Sequence, residues 1–210
     1  MLSYQTIDPH TLELLTQLCQ EPLFSGTRLV GGTALALQYG HRKSIDLDFF
    51  GDIEHETDIV TEILSKYGKV ITGRCTHKIK TYYIDHIKLD YIDYSRYPWI
   101  DDPVIEKGII LASPRDIAAM KINAIEGRGT RKDFVDMYYL LRRFSLSEIL
   151  SFYAEKYPEH SEYRALLSLT YFDDAETSPM PTMLTDVEWK KIKATICKEV
   201  ELYNKQAINQ

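Results

Sequence analysis

Two short motifs in fixed order constrain this chain more than any other feature. Leu29-Val30 runs into Gly31-Gly32-Thr33-Ala34, and a short helix's length later comes Arg42-Lys43-Ser44-Ile45-Asp46-Leu47-Asp48-Phe49-Phe50. Side chains alternate along a strand, so a strand over residues 45–50 projects Asp46 and Asp48 from one face. Ile45, Leu47 and Phe49 then point the other way, into the layer covering the sheet. Two carboxylates on one face repel, and burying them unpaired costs several kcal/mol or shifts their pKa. A divalent cation removes that cost, and aspartate oxygens are hard ligands suited to Mg²⁺. The glycine pair lets backbone approach a ligand closely, with amide donors at a helix start where phosphate is favoured, and Thr33 adds a hydroxyl. An isolated Asp-x-Asp fits a solvated edge and an isolated Gly-Gly fits a turn. The ordered combination is far more restrictive: strand, glycine turn, short helix, then a strand carrying two carboxylates.

The rest of the chain supplies a frame for that element. Its 210 residues carry 25 Lys and Arg against 31 Asp and Glu, a net charge of −6, with 44% hydrophobic residues. This is the balance of a folded domain and not of a disordered chain. No apolar run approaches the ~18 residues of a membrane helix. The opening MLSYQTIDPH does not read as a secretion signal. Cys19, Cys75 and Cys197 match no metal spacing, which fits a reducing, cytoplasmic setting. A helix over residues 8–21 opens on Asp8 and Pro9 and ends before Pro22. Residues 27–31 read as a strand, 33–39 as a helix ended by Gly40, and 54–67 as a helix. Strands over 69–75, 78–85 and 87–94 follow in meander order, with Gly73 and Asp85-His86 as turn candidates.

Beyond Pro98 helices take over. Ser113 caps a helix with Pro114 at its first position, running to about Glu126 and broken by Gly127 and Gly129. Helices over 131–143, 146–156 and 162–169 follow, then a loop over 172–183. Thr185-Asp186-Val187-Glu188 reads as a capping box opening a last helix to about Tyr203. The expected architecture is α/β (α+β): a mixed sheet flanked by helices over residues 1–110, then a helical domain over 111–210.

Charge is unevenly spread. Residues 66–88 hold Lys66, Lys69, Arg74, Lys78, Lys80 and Lys88 against one acid, Asp85. Such clusters steer polyanions even on an acidic protein, and equally form solvated faces of a strand pair. The tyrosines at 82, 83, 91 and 94 fall on strands, where tyrosine is a good strand former. In the helical half, Lys121 follows four apolar residues, so it either snorkels to water or meets a phosphate. Asp133 and Asp136 share a helix face beside a core stripe. Arg128 or Lys132 could pair with them, or Arg128 and Arg131 could meet triphosphate or RNA.

The order of Gly31-Gly32-Thr33 and Asp46-Leu47-Asp48 resembles the signature of the nucleotidyltransferase superfamily related to DNA polymerase β. Three blocks narrow the resemblance to the AbiEii/AbiGii toxins of bacterial abortive-infection, type IV toxin–antitoxin systems. They are residues 31–37 with His41-Arg42-x-Ser44-x-Asp46-Leu47-Asp48-Phe49, then Ala118-Ala119-Met120-Lys121 through Arg128 and Lys132-Asp133-Phe134-x-Asp136-Met137, and finally Tyr171–Glu176 with Pro179-Met180-Pro181. The likeness spans about residues 28–190.

The resemblance implies a nucleotidyltransferase fold with the helical domain closing over a cleft. It implies Mg²⁺ or Mn²⁺ held by Asp46, Asp48 and a third carboxylate, Asp90, with Asp93 of opposite parity as the rival. It also implies catalytic roles for Lys121 and Asp133. Nucleotide binding would fall to Gly31, Gly32, Thr33, Arg42, Ser44, Arg128, Lys132 and Asp136. Asp174 belongs to the last block or simply caps its loop. The implied reaction moves an NMP group from an NTP to a hydroxyl of tRNA or protein, serving growth arrest or phage defence under a cognate antitoxin. A non-catalytic nucleotide-binding protein on the same fold is the alternative. A sugar-nucleotide glycosyltransferase also uses Asp-x-Asp, but the early Gly-Gly-Thr and short chain disfavour it.

Overall fold

Asp8 accepts from the Thr11 amide at 3.0 Å and sets Pro9 at the first position of α1, Pro9–Leu18. This is the first of a series of local signals that fix the elements in the computed structural model, which describes residues 1–53 and 55–208. Then come β1 (Thr27–Leu29), α2 (Gly31–Tyr39), β2 (Leu47–Gly51), α3 (Thr57–Leu64), β3 (Val70–Cys75), β4 (Ile79–Ile84), β5 (Ile87–Asp93), β6 (Val104–Glu106) and β7 (Ile109–Leu111). The helical part comprises α4 (Pro114–Gly127), α5 (Arg131–Leu141), α6 (Leu146–Lys156), α7 (Glu162–Leu169), α8 (Asp173–Glu176) and α9 (Trp189–Ile208). The chain divides into two units, Met1–Pro98 with Asp102–Ala112, and Trp99–Asp101 with Ser113–Gln210.

The first unit is built on a seven-stranded mixed sheet in the order β3-β4-β5-β2-β1-β7-β6. The β2–β5 and β1–β7 pairs are parallel and the others antiparallel. Parity assigns one face to the core: Leu29, Leu47, Leu89, Tyr91 and Leu111 are fully buried and Phe49 nearly so. Phe24 packs on Phe49 and Tyr91 with ring centroids 4.6 and 5.3 Å apart, and the Tyr91 hydroxyl donates to the Leu23 carbonyl at 2.9 Å. The other face carries Asp48, Asp90, Lys88, Thr81 and Tyr83, as the β2–β5 and β4–β5 registers dictate.

Several expectations need correction. Ile45 is 60% exposed, because β2 begins only at Leu47 and the residues before it follow no strand alternation. Gly73 lies inside β3 at a register shift between Thr72 and Cys75; the turn falls at Thr76, whose amide donates to the Ile79 carbonyl at 2.7 Å. Asp85 and His86, with φ of 45° and 74°, do make the next hairpin turn. The β6–β7 hairpin escaped notice because each strand has three residues; it turns at Lys107 and Gly108. Lys80 is 4% exposed, so this member of the basic cluster is not on a solvated face. The expected start of a helix at Glu54 lies outside the described residues, and α3 begins at Thr57.

In the second unit, Ser113 accepts from the Asp116 amide at 3.1 Å, and Thr130 with Asp133 and Ser145 with Glu148 form capping boxes. Phe134, Phe172 and Trp189 form an aromatic cluster with centroids 4.8–6.1 Å apart. The segment read as a loop over 172–183 contains α8, whose Ala175 is buried. The capping box at Thr185–Glu188 does not form. α9 starts at Trp189 with the Glu188 carbonyl taking the first amides, and Thr185 meets the Tyr139 hydroxyl instead.

Candidate active site

In the first unit, the glycine turn and the acidic strand are held together by backbone. Val30 is extended and its amide donates to the Asp48 carbonyl at 2.8 Å, which ties the start of α2 to β2. Gly31 has φ of +68°, and a Cβ there would lie 2.6 Å from Asp48 Oδ2. The glycine is thus required twice, by its left-handed backbone and by the carboxylate lying against it. Thr33 is buried and its hydroxyl lies 2.5 Å from the Asp46 carbonyl and 2.8 Å from Ser44 Oγ. It clamps the chain leading into β2 and so fixes Asp46. Arg42 is buried, and its guanidinium donates to the Lys43 carbonyl at 2.9 Å. Ser44 is anchored by its amide on the Thr6 carbonyl at 2.9 Å.

Asp48 and Asp90 stand level on adjacent parallel strands and share a face. Asp93 is level with Gly51 and, by alternation, belongs to the opposite face, where its carboxylate accepts from the Ser95 amide at 3.0 Å. Asp46 precedes β2, so its placement comes from the Thr33 clamp and not from strand parity. One residue that sequence reasoning missed is Lys88. Its ammonium pairs with Asp90 Oδ2, while Asp90 Oδ1 accepts from Thr81 at 2.7 Å. Burial pulls the Lys88 pKa down, but the bond to Asp90 and the charges of Asp90, Asp48 and Asp46 outweigh it and hold the ammonium above the usual lysine range.

In the second unit, the residues of the middle motif gather into a buried ion cluster. Lys121 Nζ lies 3.1 Å from Asp133 and 2.6 Å from Asp136, and both carboxylates are fully buried. Arg128 grips Asp133 through Nε at 2.9 Å and Nη2 at 3.0 Å, and Thr130 Oγ1 approaches it at 2.5 Å. Burial pushes the Asp133 pKa up, yet Lys121, Arg128 and Thr130 together hold it well below the usual carboxylate range. The Arg128 side chain is 56% exposed despite this grip. Arg131 is separated from Arg128 by its surroundings: it reaches Glu176 at 3.2 Å and lies over the Trp189 ring. Lys132 is half-buried at the start of α5, and Asp174 sits in α8 with its carbonyl accepting from Thr177 at 2.9 Å.

A family model described as nucleotidyl transferase AbiEii toxin, type IV TA system, matches residues 13–208. The chain belongs to the AbiEii family. It is accordingly a nucleotidyltransferase of the toxin class. An uncharacterized protein of Aquifex aeolicus (strain VF5) is 34% identical over 184 residues, covering 83% of this chain and 86% of that one. The fold is that of two solved structures. JHP933 from Helicobacter pylori has a TM-score of 0.52 at 15% identity and 97% coverage of both chains. MenT4, a nucleotidyltransferase toxin of Mycobacterium tuberculosis H37Rv, has a TM-score of 0.55 at 16% identity, covering 91% of this chain and 79% of its own.

AbiEii membership implies an NTP substrate and a divalent cation, and the acidic face of the first unit fits such an ion in its chemistry. Its donors are hard carboxylates, two of them level on neighbouring strands, and it already accommodates one cation, the Lys88 ammonium. Among the described residues no three carboxylate, imidazole or thiol groups stand together so as to hold a metal ion as arranged. Asp90 faces Lys88 and Thr81 instead. Among the described residues no helix is long and apolar enough to cross a membrane.

Proposed function

We propose that this AbiEii protein transfers an NMP group from an NTP to an acceptor hydroxyl on tRNA or protein, as a toxin restrained by a cognate antitoxin in phage defence. The observation that carries the reading is the level placement of Asp48 and Asp90 beside the Gly31 turn, with the Asp46 backbone carbonyl held by Thr33 just ahead of the same strand. Asp46, Asp48 and Asp90 would hold Mg²⁺ or Mn²⁺. The ion's contribution is to neutralise phosphate charge and to lower the pKa of a hydroxyl.

The remaining chemistry falls to the chain itself. Amides of the Gly31-Gly32 turn at the start of α2 receive phosphate oxygens, favoured there by the helix N-terminus. Gly31 must stay bare so that Asp48 can lie against the turn. Arg42, Ser44 and Thr33 stiffen the loop between turn and strand. In the second unit, Asp133 holds Arg128 by two bonds and is itself held by Lys121, leaving an ordered and exposed guanidinium able to contact a phosphate. The acceptor oxygen attacks the α-phosphorus, the bond from that phosphorus to the bridging oxygen breaks, and pyrophosphate leaves with the electron pair. The hydroxyl proton passes to a carboxylate of the acidic face.

A binding-only reading has one observation in its favour, the engagement of Asp90 by Lys88 and Thr81. Pyrophosphate release from each NTP in the presence of Mg²⁺ and total RNA separates the two. Release by the wild type that is lost in Asp48→Asn supports transfer. Binding of NTP by calorimetry with no release above the Asp48→Asn background refutes it.

A further inference from the structure

The acidic face of the sheet carries a cation of its own. Lys88 and Asp90 are two apart on β5, so strand alternation puts them on one face, where the ammonium pairs with Asp90 Oδ2. Thr81, directly across the β4–β5 hairpin, donates to the other oxygen at 2.7 Å. Both Asp90 oxygens are therefore engaged. Asp48 is level with Asp90, and the charges of Asp48 and Asp46 reach the same ammonium. A divalent ion at Asp46 and Asp48 and the Lys88 ammonium are like charges drawn to the same carboxylates.

We propose that Lys88 is the resident counter-ion of the acidic face, and that a divalent cation gains Asp90 as a ligand only by displacing the Lys88 ammonium. The inference rests on the reading of Asp46, Asp48 and Asp90 as metal ligands. The Lys88 side chain is 37% exposed, so its flexible stem has a route to solvent when the ammonium is displaced. Thr81 donates a neutral hydroxyl and imposes no charge penalty, so it remains on Asp90 and orients it. Lys88 thereby keeps Asp48 and Asp90 tolerable on one sheet face while no metal is bound, and weakens metal binding by the same interaction.

The test is Mn²⁺ binding to the full chain without nucleotide, followed by electron paramagnetic resonance of free Mn²⁺. Lys88→Met and Lys88→Gln remove the competing charge and should bind Mn²⁺ roughly tenfold more tightly than wild type. Lys88→Arg keeps the charge and should not tighten binding. Two neutral variants are used so that a folding failure in one leaves the other to decide. Equal or weaker Mn²⁺ affinity in a folded neutral variant, with Asp48→Asn abolishing binding, overturns the Lys88 proposal and leaves the metal reading intact. No Mn²⁺ binding by wild type or by either neutral variant overturns both.

Discussion

A Lys121→Met substitution isolates the energetic role of the buried ion cluster in the second unit. In the wild type the ammonium stands between two fully buried carboxylates, 3.1 Å from Asp133 and 2.6 Å from Asp136, and is itself only 4% exposed. Methionine replaces most of the stem's packing but none of the charge. Asp133 keeps Arg128 and Thr130, while Asp136 loses the ammonium that stood 2.6 Å away. Removing one partner of a buried pair costs about 3–5 kcal/mol, because the charge left behind is poorly solvated. For a chain of this size each kcal/mol corresponds to about 2–4 °C, so unfolding should move down by roughly 6–20 °C. Lys121→Arg, which keeps the charge, should lose less than half of that. Adding Asp136→Asn to Lys121→Met removes a carboxylate that has lost its ammonium and should recover about 1–3 kcal/mol. Urea unfolding followed by circular dichroism reads all four proteins. A Lys121→Met protein within about 1 kcal/mol of wild type would refute the reasoning, and would mean that the cluster is hydrated in solution.

Three further outcomes follow from the same geometry. Gly31→Ala forces a side chain into left-handed backbone and against Asp48 Oδ2, and should destabilise by about 1–2 kcal/mol or more; wild-type thermal stability would contradict the close approach. Lys156→Met strands Asp116, which pairs with Lys156 at 2.7 Å and also accepts from the Ile100 amide at 2.9 Å. It should cost about 3–5 kcal/mol and change the emission of Trp99, over whose ring the Lys156 ammonium sits at 4.6 Å; unchanged emission and stability would sink the assignment. Acid is the third perturbation. Asp133 has its pKa lowered on folding, so its stabilisation is complete above the ordinary carboxylate range and is lost as pH falls toward the folded value. Stability should fall by up to about 1.4 kcal/mol per pH unit between about pH 4 and pH 2 on this account, and Asp133→Asn should flatten that slope; an unchanged slope in the variant would assign the acid sensitivity elsewhere.

Much of this fold was legible because its local signals are strong and agree with one another. Asp8-Pro9, Ser113-Pro114 and Ser145-Glu148 mark helix starts through cap bonds made within their own first turn. Asp85-His86 announces a hairpin, and that turn also sets the register of β4 on β5. Pairing Ile84 with Ile87 forces Thr81 opposite Asp90 and Tyr83 opposite Lys88, so both partners of Asp90 were countable from the turn. The parallel β2–β5 register was not countable, because the intervening segment of helix and hairpin sets it through packing. That register is what separates Asp90 from Asp93. The β6–β7 hairpin was lost because three-residue strands carry too few alternations to show a period. Ile45 departs from the apolar-polar alternation because the Thr33 clamp holds the residues before Leu47 out of the strand. In the second unit, spacing put Asp133 and Asp136 on one helix face. Their common partner, Lys121, comes from another helix, a tertiary fact that no spacing expresses.

The central claim is that the acidic face beside the Gly31 turn supports nucleotidyl transfer, and one incubation tests it most directly. Purified protein is mixed with each α-³²P NTP in turn, Mg²⁺, and either total tRNA or cell extract. Wild type, Asp46→Asn and Asp48→Asn are then resolved side by side on RNA and protein gels. The account predicts a labelled band with wild type and one preferred nucleotide, absent from both variants while they remain folded. A band of equal intensity in the folded Asp46→Asn and Asp48→Asn proteins would contradict it.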